Sequence, residues 1–189
     1  MYVDARGTAQ RSTLSDVSPS PTDGRATLAQ LPRGREGTIA TLKHMREFVR
    51  KSIRSPDQRI RMKALDILNQ ARVPPRKWTA EISALHRFVR DQILYVKDPV
   101  GLELVQTPEA TLDIGRGDCD DKSTLLAALL EATGHPARFT VVGFSGNPFS
   151  HVMTEAKSGD GRWIPLETII PKEMGWFPPG VTSKYSLKL

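Results

Sequence analysis

Gly115-Arg-Gly-Asp-Cys119-Asp-Asp-Lys-Ser-Thr-Leu125-Leu-Ala-Ala-Leu-Leu130-Glu-Ala-Thr-Gly134 decides how the second half of this chain folds. Its centre, Leu125 to Leu130, is continuously apolar, which predicts a helix over 120–133 buried on most sides. Gly134 is a natural C-terminal stop. Cys119, the single cysteine, stands where that helix offers unpaired backbone N–H groups and the positive end of its dipole. Both favour thiolate over thiol, and the same N–H groups could hold an oxyanion. Asp118, Asp120 and Asp121 oppose this, because carboxylates aimed at the sulfur raise its pKa. The expected resolution is that at least one caps the helix or pairs with Lys122, Arg116 or Arg138.

Downstream come three β-like runs, at 138–144, 151–156 and 163–168, separated by Ser145-Gly-Asn-Pro and Lys157-Ser-Gly-Asp-Gly turns. His151 opens the second run and Glu167 lies near the end of the third. A turn centred near 158–161 would set His151 opposite Glu167 or Thr168, within roughly 4.5–5.5 Å at Cβ. A carboxylate there would orient the imidazole and stabilise its protonated form. Thiol, imidazole and carboxylate, in that order, are the parts of a nucleophilic acyl-transfer site.

Upstream, Ile39, Leu42, Met45, Phe48, Val49 and Ile53 recur at helical steps from Thr38 onward. Ser55-Pro56 supplies a cap and N1 proline for a second helix bearing Ile60, Ala64, Ile67 and Leu68. After Val73-Pro-Pro, a third helix from about Thr79 carries Ile82, Leu85, Phe88, Val89 and Ile93. The three read as a packed bundle. Residues 94–116 are irregular apart from a short helix begun by Thr107-Pro108-Glu109 and ended by Gly115. Residues 1–37, rich in Ser, Thr, Pro, Gly and Arg, read as an extended arm, disordered or ordered only against a partner. The tail from 171 to 189 reads as coil. The fold class that follows is α+β: helices first, then an antiparallel meander packed on the Cys119 helix.

Composition narrows the class. A 189-residue chain with 39% hydrophobic residues can bury a substantial core. No run approaches the about 18 apolar residues of a membrane span, and the N-terminus lacks the apolar stretch of a secretory signal. One cysteine makes no internal disulfide, so an intracellular setting is expected. The net charge of +6 is uneven: residues 1–75 carry 14 Lys/Arg against 7 Asp/Glu, and residues 76–189 carry 13 against 14. This basic excess is either a footprint for nucleic acid or an acidic partner, or solvated helix faces. The interleaving of Lys and Arg with apolar residues favours the second reading, so nucleic acid is not the expected partner.

Taken singly, each residue of the trio has a plainer explanation. Lone cysteines near helix starts are most often small buried hydrophobes, and a histidine or an acid at a strand end is most often structural. The Asp118, Asp120 and Asp121 cluster lacks the glycine and distal glutamate of a calcium loop, and its carboxylates diverge on a starting helix, so no metal is expected. His44, His86 and His135 have no metal-ligand spacing and read as bland. It is the ordered trio that carries the functional reading.

Gly115 to Arg138, His151-Val-Met and Trp163-Ile-Pro-Leu-Glu167 together resemble the transglutaminase-like superfamily of papain-fold cysteine enzymes, over about residues 79–170. The resemblance implies Cys119 as nucleophile, His151 as general base and acid, and Glu167, in place of the usual aspartate, as orienting acid. Met153 replaces the usual aromatic after the histidine. The oxyanion donors would be the Cys119 N–H and an upstream side chain, for which Gln106 is chosen. The implied activity is attack on an amide carbonyl through a thioester, as a peptidase, amidase or acyltransferase acting on a protein or peptide, with no cofactor. Pro32-Arg-Gly-Arg-Glu-Gly37 and the upstream helices are similar to transglutaminase-like proteins of tailed phages and prophages. That implies a virion or host-cytoplasm setting, with residues 1–37 docking on other phage structural proteins. The competing expectation is a structural phage component that uses this fold with little or no activity. Three segments follow: 1–37 as arm, 38–76 as helical annex and 77–189 as the transglutaminase-like domain.

Overall fold

A computed structural model describes residues 25–28, 34–98 and 103–189. Its architecture is α+β, as expected. Helices α1 (Arg35–Arg54), α2 (Arg59–Gln70) and α3 (Trp78–Gln92) come first. Strands β2 (Leu94–Tyr95) and β3 (Glu103–Gln106) lead to α4 (Pro108–Ile114) and β4 (Arg116–Gly117). Helix α5 (Cys119–Ala132) then packs on a sheet of β5 (Ala137–Phe144), β6 (Asn147–Lys157), β7 (Trp163–Leu166) and β8 (Val181–Lys188). The sheet order is β7-β6-β5-β8, antiparallel throughout.

Helix α5 is the axis of the molecule. Leu125, Leu126, Ala127, Ala128, Leu129 and Leu130 are all fully buried, as the unbroken apolar run requires. One core joins them to Leu42, Met45 and Val49 of α1, Ile60 and Ile67 of α2, and Ile82, Leu85 and Val89 of α3. Phe139, Val141, Val152 and Leu166 close it from the sheet side. The three upstream helices therefore gather around α5 in addition to packing on one another. Burying a side chain such as Leu or Phe contributes about 1.5–3 kcal/mol, so this shared core is the main force that places the start of α5.

Several local expectations need correcting. Helix α1 begins at Arg35, ahead of Thr38. Ser55-Pro56 does not open α2: Asp57 Oδ1 accepts from Ser55 Oγ and from the Arg59 N–H, so the turn is used up before the helix starts. The stretch 94–116 contains strands as well as α4, with Leu94 and Tyr95 paired in parallel to Arg116 and Gly117. The tail is not all coil, because β8 pairs with β5 from Arg138↔Lys188 to Phe144↔Val181. Its long-range pairing satisfies an edge that local sequence gives no hint of. Within the expected arm, residues 25–28 form β1 and pair antiparallel with β3 of the same chain. The rest of the expected arm, residues 1–24 and 29–33, lies outside the described residues.

The register of the β6–β7 hairpin also differs. Lys157 pairs with Trp163, and the loop 158–162 is closed by the Ser158 N–H on the Arg162 carbonyl at 2.7 Å. The ladder stops at Thr154↔Leu166; continued, it would set His151 opposite Ile169 rather than Glu167 or Thr168. The turn is one residue longer than expected, which shifts every pair after it.

Candidate active site

The start of α5 is built as a capping box. Asp118 Oδ1 accepts from the N–H groups of Asp120 (2.9 Å) and Asp121 (3.3 Å), and Asp121 Oδ2 accepts back from the Asp118 N–H (3.2 Å). Asp121 is completely buried. Its Oδ1 accepts the Gln106 N–H at 2.7 Å, and its Oδ2 the Gln106 Nε2 at 2.8 Å. Gly117 permits this: a Cβ there would lie 2.5 Å from the Asp121 Cβ and 2.7 Å from its Oδ2. Gly117, Asp118 and Asp121 are thus the structural grammar of the motif, and Cys119 is what they present.

Gln106, expected to be an oxyanion donor, is bonded to Asp121 through both its backbone and its side chain. Its Nε2 also approaches the Arg116 carbonyl at 3.5 Å, so its amide hydrogens are engaged at the helix start. A buried carboxylate without donors is costly, and Gln106 supplies them. It is a clamp between β3 and α5, with no free donor for an oxyanion. The expectation that at least one aspartate caps the helix or pairs with Lys122, Arg116 or Arg138 is met by the Asp118 cap. Arg138 bonds Glu155, and Lys122 turns inward to α3.

His151 and Glu167 come together as the sequence suggested, by another route. His151 Nε2 lies 2.7 Å from Glu167 Oε2. Glu167 stands just past the end of β7, and its other oxygen accepts the Ile169 N–H at 2.7 Å. Burial pushes this carboxyl up, but the hydrogen bond and charge of His151 and the N–H groups of Ile169 and Ile170 outweigh it. Glu167 therefore sits below its ordinary value and is charged.

Cys119 lies beside the strand that carries His151. Ser123, one turn further along α5, donates to the Val152 carbonyl at 3.3 Å, and Thr154 Oγ1 donates to the Ser123 carbonyl at 2.9 Å. The Val152 N–H, one residue from His151, reaches the sulfur and favours thiolate. Burial, then Asp120 and Asp118, prevail over it and push the thiol well above its ordinary value. Sγ donates to Asp120 Oδ1 at 3.5 Å, and among the described residues no hydrogen bond joins it to His151. Burial also raises Asp118 to about 7, helped by the charge of Asp121, and raises Asp121 to about 6. One oxygen from each of Asp118 and Asp120 lies with the Cys119 sulfur in a group spanning no more than 4.8 Å. These donors share one helical turn, and Asp118 is already spent on the cap.

His86, expected to be bland, is fully buried and places Nε2 2.5 Å from the Glu167 carbonyl oxygen. Lys122 is also buried, with Nζ 2.6 Å from the Ile93 carbonyl. Only the run Asp-Asp-Lys-Ser inside an otherwise apolar helix hinted that Lys122 was unusual.

Residues 66–168 match the transglutaminase-like superfamily, more than half of the chain, and the chain belongs to that superfamily. A protein from Parabacteroides distasonis described as a candidate protease is similar in structure, with TM-score 0.54 and 14% identity. The match covers 72% of this chain and 30% of that protein. A candidate cysteine protease from Cytophaga hutchinsonii gives TM-score 0.49 at 18% identity, over 75% of this chain and 47% of the other. This chain thus spans less than half the length of either. A search of curated protein sequences finds no match. Among the described residues no helix is long and apolar enough to cross a membrane.

Proposed function

We propose that this protein is a cysteine peptidase or amidase of transglutaminase-like type, with Cys119 as nucleophile, His151 as general base and acid, and Glu167 as the acid that orients it. The observation that carries the reading is the 2.7 Å bond between His151 Nε2 and a charged, buried Glu167. A carboxylate oxygen only accepts, so Nε2 holds the ring hydrogen and Nδ1 is left as the basic nitrogen. Nδ1 would take the Cys119 proton after the thiol swings from Asp120 to the imidazole. The sulfur then attacks an amide carbonyl carbon, and the oxyanion forms beside the Cys119 N–H at the start of α5. Collapse breaks the C–N bond, the amine leaves with the proton from His151, and a thioester remains. Water resolves the thioester as hydrolysis, and a lysine amine would resolve it as an isopeptide. Hydrolysis is the simpler reading, since it needs no second substrate pocket.

The substrate class is a protein or peptide. The resemblance of residues 32–37 and the upstream helices supports a tailed-phage or prophage setting, with the N-terminal segment docking on neighbouring structural proteins. A second reading, a virion scaffold with a silent site, is favoured by the thiol's bond to Asp120 and its raised pKa.

Alkylation of Cys119 by iodoacetamide across pH separates the two. An ion-paired thiol reacts well below the ordinary cysteine value of about 8.5, with a second step at higher pH. A single ionisation above that value supports the scaffold and defeats the enzyme. In a peptide-cleavage assay, Cys119→Ala abolishes turnover. Glu167→Gln, which keeps the shape but loses the charge, lowers kcat about 10²–10⁴-fold.

A further inference from the structure

Helix α3 bears His86 and Arg90 four residues apart on one face, and Ile93 is its C-cap residue. At the first position the buried His86 ring meets the Glu167 carbonyl at 2.5 Å. A carbonyl oxygen only accepts, so Nε2 carries the hydrogen; Nδ1 is buried without a partner. At the second position the Arg90 side chain donates to the Lys172 carbonyl (2.8 Å) and to the Glu173 carboxylate (3.0 Å), in the segment that follows Glu167. At the helix end, the Arg90 carbonyl in the last turn and the carbonyl of the C-cap residue Ile93 have no further helical N–H groups to satisfy them. Both accept from Lys122 Nζ, at 3.3 and 2.6 Å.

Lys122 lies one turn after Cys119 and is 1% exposed. A buried ammonium is costly unless it is paired, and a methionine would fill the same space without that cost. The retained charge therefore has work in this place: it ties the nucleophile helix to the negative end of α3. Burial pulls Lys122 down to about 8, against the opposing charges of Glu167 and Asp91, so it remains mostly cationic at neutral pH.

We propose that His86 and Lys122 are positioning residues of the thiol site, through which α3 holds Glu167 and the Cys119 helix at one fixed separation. The inference rests on the thiol-enzyme reading above. His86 supplies a hydrogen bond to the backbone of the acid, and Lys122 anchors the first turn of the nucleophile helix to the same strut. Neither touches the reacting atoms.

The test compares full-length wild type with His86→Leu, His86→Gln and Lys122→Met, using iodoacetamide alkylation of Cys119 at pH 6 and pH 9.5. At pH 6 the rate depends on the Cys119, His151 and Glu167 alignment; at pH 9.5 hydroxide also deprotonates the thiol, and the rate depends on that alignment less. His86→Leu removes the donor and lowers the pH 6 rate about fivefold to twentyfold, while the pH 9.5 rate stays within about twofold. His86→Gln presents an amide N–H in place of the ring N–H and restores the pH 6 rate to within about twofold of wild type. Lys122→Met, the second variant should His86→Leu not fold, also loses rate selectively at pH 6. A folded His86→Leu or Lys122→Met with the wild-type profile overturns the inference, as does His86→Gln failing to differ from His86→Leu. A wild type with no low-pH step defeats the thiol-enzyme reading itself and takes this inference with it, so the two failures are distinguishable.

Discussion

Gly117→Ala tests how the start of α5 is built. Gly117 does not occupy the left-handed region, so an added methyl meets a packing barrier rather than a conformational one. The new Cβ would stand 2.5 Å from the Asp121 Cβ, 2.7 Å from its Oδ2 and 3.0 Å from its Cγ. The nearest of these atoms is the stem of a fully buried side chain in a first helical turn, so rotation of the carboxylate cannot relieve the contact. Either the helix start shifts, costing about 1–3 kcal/mol as overpacking does, or Asp121 is displaced from its bonds to Gln106 and the Asp118 N–H. Each of those bonds is worth about 1 kcal/mol or more. The cheaper route sets the outcome, a loss of about 1–3 kcal/mol. For a domain of this size that lowers Tm by about 2–12 °C. Urea unfolding followed by circular dichroism measures it directly, with cysteine alkylation reporting the site. A variant whose midpoint and alkylation rate both match wild type would refute the account of the capping box.

Two further perturbations address other parts of the molecule. Asp118→Asn keeps an N-cap side chain but removes a charge that burial, aided by Asp121, makes costly. A carboxyl raised from its ordinary value to about 7 contributes stability that is fully present below about pH 4 and lost as pH rises through 7. The variant's melting temperature should therefore fall less than that of wild type between pH 5 and pH 8. Its thiol, freed of one opposing charge, should alkylate about threefold to tenfold faster at pH 7.5. An unchanged difference in Tm between the two pH values would contradict this. Ending the chain after Gly180 removes β8 and with it Tyr185, Leu187 and Leu189 from the core face, exposing the apolar edge of β5. Aggregation, or a Tm loss of more than about 10 °C, is expected on heating; a melt within 2 °C of wild type, on the order of measurement error, would show β8 to be dispensable.

Much of the fold was legible because its signals are local. Helical spacing marked α1 to α3, the Thr107-Pro108 cap and Gly115 bounded α4, and the apolar run from Leu125 announced a buried helix. Caps and periodicity act between residues three or four apart, so the chain carries them wherever it folds. The ordered cysteine, histidine and acid were legible for the same reason, since residue type alone limits their chemistry. Thr107 capped as expected, whereas Ser55-Pro56 did not, because Asp57 two residues on competed for the same turn.

The sequence by itself determined the α+β class, the buried helix behind Cys119 and the order of cysteine, histidine and glutamate along the chain. Only the tertiary structure decided that β8 returns to pair with β5, that Gln106 serves a buried aspartate, and that His86 and Lys122 meet the acid and the helix end across α3. Those contacts join residues 15 to 81 positions apart. They arise because a buried charge or an open strand edge must find whatever partner the packed chain brings within hydrogen-bonding distance, and no nearest-neighbour pattern records which one that is.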